Sequence, residues 1–162
     1  MAIDRRELAD LIPALRRFSR AMVAERAAAD DMVQDCLLLA LDREAQFRGP
    51  ALKPWVFAIL ANLGRARYRA LKAAPPMDAF DECADGGGDP ALRLTVVMAL
   101  EGLPAEQRKV LLLVAVEGFS YREVADMLAL PVGTVMSRLW RARRLLAERM
   151  QAGTPIALRR VK

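Results

Sequence analysis

The chain contains no histidine, and this absence removes the side chain that most often serves as general acid or base near neutral pH. Its two cysteines, Cys36 and Cys83, have no CxxC pairing, so a structural zinc site is not expected. Two isolated cysteines suit a reducing cytosol, although one regulatory disulfide stays open as an alternative. We therefore predict no metal and no cofactor, with Cys36 buried in a helix and Cys83 exposed in a loop.

Long apolar runs and β-branched runs are also scarce, and aromatic residues make up only 6% of the chain. No stretch of eighteen apolar residues occurs, so no membrane span is expected. Phosphate-binding loops, metal clusters and nucleophile–base arrangements are missing as well, which argues against an enzyme. Leu, Ala and Arg dominate instead, and this composition favours helices.

Charge is present in abundance and is unevenly distributed along the 162 residues, whose net charge is +5. Residues 1–71 hold twelve Lys/Arg against nine Asp/Glu, and residues 92–162 hold twelve against six. Residues 72–91 hold one lysine against five acids. Two basic blocks therefore flank an acidic one, and 21 of the 25 cations are arginine, whose planar fork suits phosphate.

The acidic block has the composition of a linker. It contains a Pro pair at 75–76 and three consecutive glycines at 86–88, and it has little apolar content to offset ordering entropy. The sequence therefore predicts an all-α protein with two small helical domains joined by a flexible acidic linker. We place the first domain at 1–72, the linker at 73–91, the second domain at 92–150 and a basic tail at 151–162.

Three helical patterns occur in the first domain. Asp4 and Glu7 are spaced as a capping box, and Pro13 then either kinks the helix or starts a new one. A second helix is predicted to begin near residue 30 and to run towards 47. A third is predicted over 53–71, with Trp55, Ile59 and Leu63 facing inward.

In the second domain, helices are predicted at 92–101 and 105–117, and the latter carries a buried apolar stretch at 110–116. Ser120 and Glu123 then form a capping box that opens a short helix, a turn follows at 129–131, and a long helix starts near 132. This arrangement is typical of a helix-turn-helix. The outward stripe of the long helix can reach base edges, and it comprises Thr134, Ser137, Arg138 and Arg141. The alternative is an ordinary pair of amphipathic helices with a solvated arginine face.

Two segments resemble one protein family. GLPAEQRKVLLLVAVEGFSYREVADMLALPVGTVMSRLWRARRLL is similar to region four of the extracytoplasmic-function sigma factors. AAADDMVQDCLLLAL and KPWVFAILANLGRARYR resemble two consecutive helices of region two of the same family, in the same order. The resemblance covers roughly residues 10–150. It implies two helical domains that bind core RNA polymerase and direct it to promoter DNA.

For the first domain, the resemblance implies that the DDxVQD face docks on the clamp helices of the polymerase β′ subunit. The matching residues are Asp31, Gln34 and Asp35. A competing interpretation is that Asp30 and Asp31 only stabilise a helix N-terminus.

The loop at 47–54 and the helix after it match the segment that holds the −10 element as a melted strand. The candidate residues are Trp55, Asn62, Arg65 and Arg69. For Trp55, packing in the core is favoured over stacking on a base. The chain departs from the family pattern at Ala61, where Arg is usual, and at Ala66, where Asp is usual. Asn62 and Arg69 keep the family pattern, so the resemblance implies strand melting but does not define the promoter preference.

For the second domain, the resemblance implies that Thr134, Ser137, Arg138 and Arg141 read the −35 element in the major groove, while the apolar helices dock on the polymerase β flap. Met136 stands where the family often has Lys. The predicted function is a cytoplasmic sigma factor that binds core polymerase and promoter DNA, serves a stress response and is controlled by an anti-sigma factor. The alternatives are a sigma-like decoy that titrates an anti-sigma factor, and an ordinary helix-turn-helix regulator.

Overall fold

The computed structural model describes residues 3–23, 25–70 and 89–160, with side chains over the same ranges apart from 65–70, 93 and 153–160. Every regular element in these ranges is a helix, which confirms the predicted all-α class. Among them, none is both long enough and apolar enough to cross a membrane. Most of the predicted linker, together with Cys83, falls on residues 71–88, outside the described residues.

The amino-terminal domain begins with two separate helices. α1 covers Arg5–Asp10 and α2 covers Ile12–Met22, so the restart at Pro13 is the correct alternative. Pro13 lies in the first turn of α2, where its missing N–H leaves no helical hydrogen bond unmade. The cap of α1 is simpler than predicted, because the Asp4 side chain accepts from the backbone N–H of Arg6 at 2.8 Å.

α3 covers Arg26–Asp42 and therefore begins four residues before the predicted start at residue 30. The alanines at 27–29 extend the helix backwards because alanine has the highest helix propensity. The Ser19 hydroxyl donates to the carbonyl of Ala29 at 2.8 Å, which ties this added turn to α2. A 3-10 turn, Glu44–Gln46, follows before α4, Leu52–Ala70.

The core of the first domain lies among α2, α3 and α4. The fully buried face of α4 is turned slightly from the predicted one, with Val56, Phe57 and Leu60 all at 0% exposure, while Trp55 is only half-buried. Cys36 is buried against this helix, as predicted, and its thiol donates to the carbonyl of Val56 at 3.5 Å. Burial raises the pKa of Cys36 to about 12.

The second domain contains α5, Pro90–Glu101, and α6, Ala105–Leu111, which continues as a π-helical turn, Leu112–Val116. α7, Tyr121–Leu128, opens with the predicted capping box, in which Ser120 and Glu123 exchange hydrogen bonds of 3.2 and 2.8 Å. The buried apolar stretch is shorter than predicted. It ends at Leu113, and Val116 is half exposed.

The turn between α7 and the last helix is a Schellman motif built on a non-glycine residue. Ala129 has φ of 53°, and the N–H of Leu130 bonds to the carbonyl of Ala125 at 2.9 Å. α8, Val132–Arg160, then runs on through most of the predicted tail. On the inward side of α8, Val135, Leu139 and Ala142 are buried and Leu146 is half-buried.

Candidate nucleic-acid and polymerase interfaces

The predicted recognition stripe lies on the first three turns of α8. Ser137 and Arg141 are exposed there, while Thr134 and Arg138 are half-buried at its edge. The Ser137 hydroxyl donates to the carbonyl of Thr134 at 3.1 Å, which orients it along the helix. The structure thus brings the four predicted side chains to one side of the helix, next to the buried face at Val135 and Leu139.

Arg138 has a protein partner that the sequence reasoning missed. Its Nη1 donates to Oε2 of Glu106, in the first turn of α6, at 3.0 Å. The other oxygen, Oε1, lies 3.3 Å from Nζ of Lys109, a side chain that is 3% exposed. Each carboxylate oxygen of Glu106 therefore has its own cation. The i, i+3 spacing of Glu106 and Lys109 was visible in the sequence, but the crossing to α8 was not.

A second missed feature flanks the stripe. Val132, Met136 and Trp140 recur every four residues on α8 and are 40%, 50% and 62% exposed. The guanidinium of Arg144 lies 5.5 Å from the Trp140 ring and also pairs with Glu148 at 3.1 Å. The recognition helix therefore presents an apolar edge beside its polar stripe.

On α3, the predicted polymerase-docking residues share one face, on which Asp31 and Gln34 are exposed and Asp35 is half-buried. Leu38, one turn further on, is 66% exposed and extends this face with an apolar side chain. Because α3 begins at Arg26, Asp30 and Asp31 lie beyond the first turn, where the helix dipole has largely decayed. The alternative that they only stabilise a helix N-terminus is therefore wrong.

A cleft of about 340 Å³ opens between α3 and α4. It joins two of the predicted −10 residues, Trp55 and Asn62, with five neighbours, Leu39, Arg43, Ala58, Ile59 and Leu63. The Trp55 ring packs on Phe47 at 5.3 Å between centroids, so it belongs partly to the core and partly to the cleft. Arg65 and Arg69 lie on α4, but their side chains are outside the description.

The departure from the family pattern at Ala61 falls on a buried position. Ala61 is 1% exposed on α4, so an arginine at this position would have to leave the core or displace its neighbours. The side chain of Ala66 lies outside the described set.

The π-helical turn after α6 carries charged and aromatic contacts between the two domains, next to the packing of α7 on α4. The N–H of Glu117 bonds five residues back to Leu112 at 3.0 Å, and the N–H of Phe119 bonds to Leu113 at 3.1 Å. Gly118 between them has φ of 77°, a conformation that favours glycine. This widened helix end points Glu117 and Phe119 at the first domain.

Glu117 forms an ion pair with the other domain and is buried by doing so, since its side chain is 1% exposed. Arg17 of α2 forks onto the two carboxylate oxygens with two hydrogen bonds of 3.0 Å. Lys53 of α4 donates to the backbone carbonyl of Glu117 at 2.8 Å and lies 3.9 Å from its carboxylate. The charges are therefore matched across the interface.

Aromatic rings fill the remainder of this interface. Phe57 lies between Phe18 of its own domain, at 5.7 Å, and Phe119 of the second domain, at 5.2 Å, with edge-to-face geometry in both pairs. Lys53 places its ammonium 4.9 Å from the centre of the Phe119 ring. The two helical domains are thus packed together rather than separated by their linker.

The fold and these surfaces define a class: a two-domain helical protein whose second domain is a helix-turn-helix with an open recognition helix. The family model Sigma-70, region 4, matches residues 93–146, and the model Sigma2 domain of PhyR matches residues 8–61. The two matches lie on the two predicted domains.

Among relatives, the ECF RNA polymerase sigma factor EcfG of Rhodopseudomonas palustris is 36% identical over 148 residues, covering 84% of this chain and 78% of EcfG. A solved structure of the sigma factor RpoE with the anti-sigma factor NepR from Bartonella quintana is similar, with a TM-score of 0.72 and 31% identity. That similarity covers 91% of this chain and 96% of RpoE. CnrH, solved with the cytosolic domain of CnrY, matches with a TM-score of 0.69 and 29% identity over 91% of this chain and 86% of its own. The chain belongs to the ECF RNA polymerase sigma factor family.

Proposed function

We propose that the chain is a sigma subunit that binds core RNA polymerase and selects promoters, acting in the cytoplasm without catalytic activity of its own. One observation carries this proposal: α8 presents its hydroxyl and arginine stripe outward in a chain whose first domain carries a separate exposed acidic face. Relatives that align with more than four fifths of this chain are sigma factors, which favours this function over a decoy or an ordinary regulator.

The α3 face supports polymerase docking. Asp31, Gln34 and Asp35 supply a polar, mostly acidic surface, and Leu38 supplies the apolar contact that protein interfaces bury at their centres. We propose that these residues bind the β′ clamp helices. The charges favour a basic partner surface and speed its capture.

The α3–α4 cleft supports capture of an unstacked base from the −10 element. Trp55 lines it with an aromatic edge and Asn62 with an amide that can donate and accept hydrogen bonds. Arg65 and Arg69 follow Asn62 along α4, so we propose that they track the phosphates of the melted strand.

The α8 stripe supports reading of the −35 element. Its residues occupy the amino-terminal half of the second helix of a helix-turn-helix, which enters the major groove in proteins of this design. Thr134 and Ser137 can bond base edges or phosphates, and Arg138 and Arg141 can form paired bonds to guanine.

These assignments require the domains to separate on the promoter. The two elements lie about 25 base pairs apart, which is about 85 Å at 3.4 Å per base pair. A compact chain of 162 residues has a radius of gyration of about 15 Å. We therefore propose that the packed arrangement is the form free of polymerase, and that the linker at 73–91 spans the two domains once they part.

RpoE was solved with the anti-sigma factor NepR, and CnrH was solved with the cytosolic domain of CnrY. We propose the same kind of control for this chain, in a stress response. The division into 1–72, 73–91, 92–150 and 151–162 stays a prediction, with α5 beginning at Pro90 and α8 extending to Arg160.

The test is transcription in vitro. The purified chain is added to bacterial core polymerase with a promoter library, and start sites are mapped. We expect initiation downstream of one pair of elements. Tight anti-sigma binding without any specific initiation would establish the decoy instead.

The docking surface can be tested with Asp31→Arg. Reversing this exposed charge should weaken binding to core polymerase by about tenfold, as lost charge complementarity does at other interfaces. Asp10→Arg is the matched control, because Asp10 is also exposed but lies on α1. Equal affinity of the two variants for core would refute the assignment of α3.

A further inference from the structure

The cluster of Glu106, Lys109 and Arg138 joins α6 to the recognition helix. Glu106 accepts from Arg138 at 3.0 Å through Oε2 and from Lys109 at 3.3 Å through Oε1. We infer that Glu106 is a specificity-determining residue that holds the Arg138 side chain in one orientation and shields its charge from the DNA backbone. This inference rests on the proposed reading of −35 DNA by α8.

Lys109 makes the carboxylate a fixed acceptor. Its side chain is 3% exposed and lies within one helical turn of Glu106, so the ammonium restricts the rotamers of the acid. Glu106 itself is 45% exposed and Arg138 26% exposed, so the pair lies at the surface, where solvent and DNA can reach it. Glu106 can therefore influence how Arg138 contacts the DNA that α8 binds.

The contact uses only part of the guanidinium. Arg138 has five N–H donors in a planar fork, and the hydrogen bond to Glu106 comes from Nη1. The remaining donors are left in a defined plane that can meet the edge of a base. An arginine without this acid would swing freely and find phosphates on any sequence, which raises affinity without raising specificity.

Charge shielding acts in the same direction. Sequence-independent binding grows with the number of free cations that neutralise phosphates, and a carboxylate 3.0 Å from Arg138 subtracts from that number. Glu106 therefore lowers binding to wrong sites more than binding to the right one. Glu106 also lies in the first turn of α6, where an acid stabilises the helix dipole, and the ion pair with Arg138 adds a second role.

The test compares holoenzymes made with the full chain and with Glu106→Gln. Glutamine keeps the size of the side chain and an oxygen that can accept from Lys109, but it removes the charge. Two promoters are used, which share one −10 element and carry a matching or a scrambled −35 element. Affinity for each is measured across a range of salt concentrations.

We expect Glu106→Gln to lower the ratio of matched to scrambled affinity by about three- to tenfold, the scale of one misplaced base contact. Binding to the scrambled promoter should tighten, and its salt dependence should steepen by about 0.9 in log–log slope, as for one added phosphate contact. The polymerase contribution cancels because only the difference between variants is compared. An unchanged ratio together with an unchanged slope would overturn the inference.

Two further variants separate positioning from fold defects. In an Arg138→Ala background, Glu106→Gln should have no further effect on the ratio, and a persistent effect would show that Glu106 does not act through Arg138. Glu106→Asp keeps the charge, so it should retain the original salt slope while losing part of the discrimination. A slope that steepens with Asp as much as with Gln would contradict charge shielding.

Glu148→Gln is the matched control, because Glu148 also pairs with an α8 arginine, Arg144, at 3.1 Å in an exposed setting. It removes the same charge without touching Arg138, so its ratio should stay at the original value. If Glu148→Gln lowers the ratio of matched to scrambled affinity as much as Glu106→Gln does, the effect comes from net charge alone. If the original chain itself fails to distinguish the two promoters, the proposed function fails as well, an outcome that differs from discrimination that Glu106→Gln leaves unchanged.

Discussion

The two domains differ in how their candidate residues are held. In the second domain, the candidate DNA-reading stripe lies on a single helix, and a neighbouring helix supplies the acid that pairs with Arg138. In the first domain, the candidates are divided between the exposed face of α3 and a cleft that needs both α3 and α4. A stripe on one helix follows from local periodicity, whereas a cleft exists only after packing.

The difference also appears at the interface between them. The second domain contributes a turn, with Glu117 and Phe119 two residues apart, and the helix α7 that follows it, while the first domain contributes Arg17, Lys53 and Phe57 from two helices. Buried side chains of both domains form one continuous hydrophobic cluster. The interface therefore combines helix packing with a charged and aromatic contact at the turn.

Phe57→Ala should have the largest effect, because Phe57 is fully buried and touches aromatic rings in both domains. We expect the free energy of unfolding to fall by about 3–5 kcal/mol, measured by denaturant titration. Phe47→Ala is the control, since its ring partner Trp55 lies in the same domain. If Phe57→Ala leaves the contact between the domains intact while Phe47→Ala breaks it, Phe57 does not hold the two domains together.

Glu117→Gln tests the charged part of the interface. It removes the anion that Arg17 and Lys53 share, and we expect a loss of about 1–3 kcal/mol in the packed form. The radius of gyration from small-angle X-ray scattering should rise as the domains part. The exposed pair of Arg144 and Glu148 provides the control, because Glu148→Gln should change neither quantity. An unchanged radius of gyration for Glu117→Gln would show that the ion pair does not hold the domains together.

Arg141→Ala tests whether the two domains act on separate promoter elements. Arg141 is exposed on the recognition stripe, and its loss should weaken −35 binding by about 1–2 kcal/mol. Opening of the −10 element, followed by permanganate footprinting, should be unchanged once saturating holoenzyme is present. Asn62→Ala should show the reverse pattern. Similar defects of both variants in both assays would show that the two domains do not act on separate promoter elements.

Cys36 should show the smallest effect at neutral pH. Burial raises the pKa of its thiol to about 12 from a usual value of 9.0. Stability linked to this proton is therefore complete below pH 9.0 and is lost as the pH rises towards 12. In a Cys83→Ser background, thiol reagents should not label the folded chain at about pH 8, and they should label it rapidly in denaturant. Rapid labelling of the folded chain would show that Cys36 is reachable.

Much of the second domain could be predicted from residues alone. The Ser120–Glu123 box, the short helix that it opens and the start of α8 at Val132 all follow from local rules, and the structure confirms them. The first domain was predicted less accurately. α3 begins before its predicted start because alanine residues carry no periodic signal, and Trp55 and Leu63 are turned partly out of the core.

Sequence by itself determined the helical class, the helix-turn-helix and the stripe on α8, because helical periodicity and capping act over a few residues. Tertiary structure alone decided the partner of Arg138, the cleft beside Asn62 and the contact of Glu117 with Arg17, a residue 100 positions away. Such contacts depend on how helices cross, and helix crossing is fixed by the packing of whole faces rather than by local pattern.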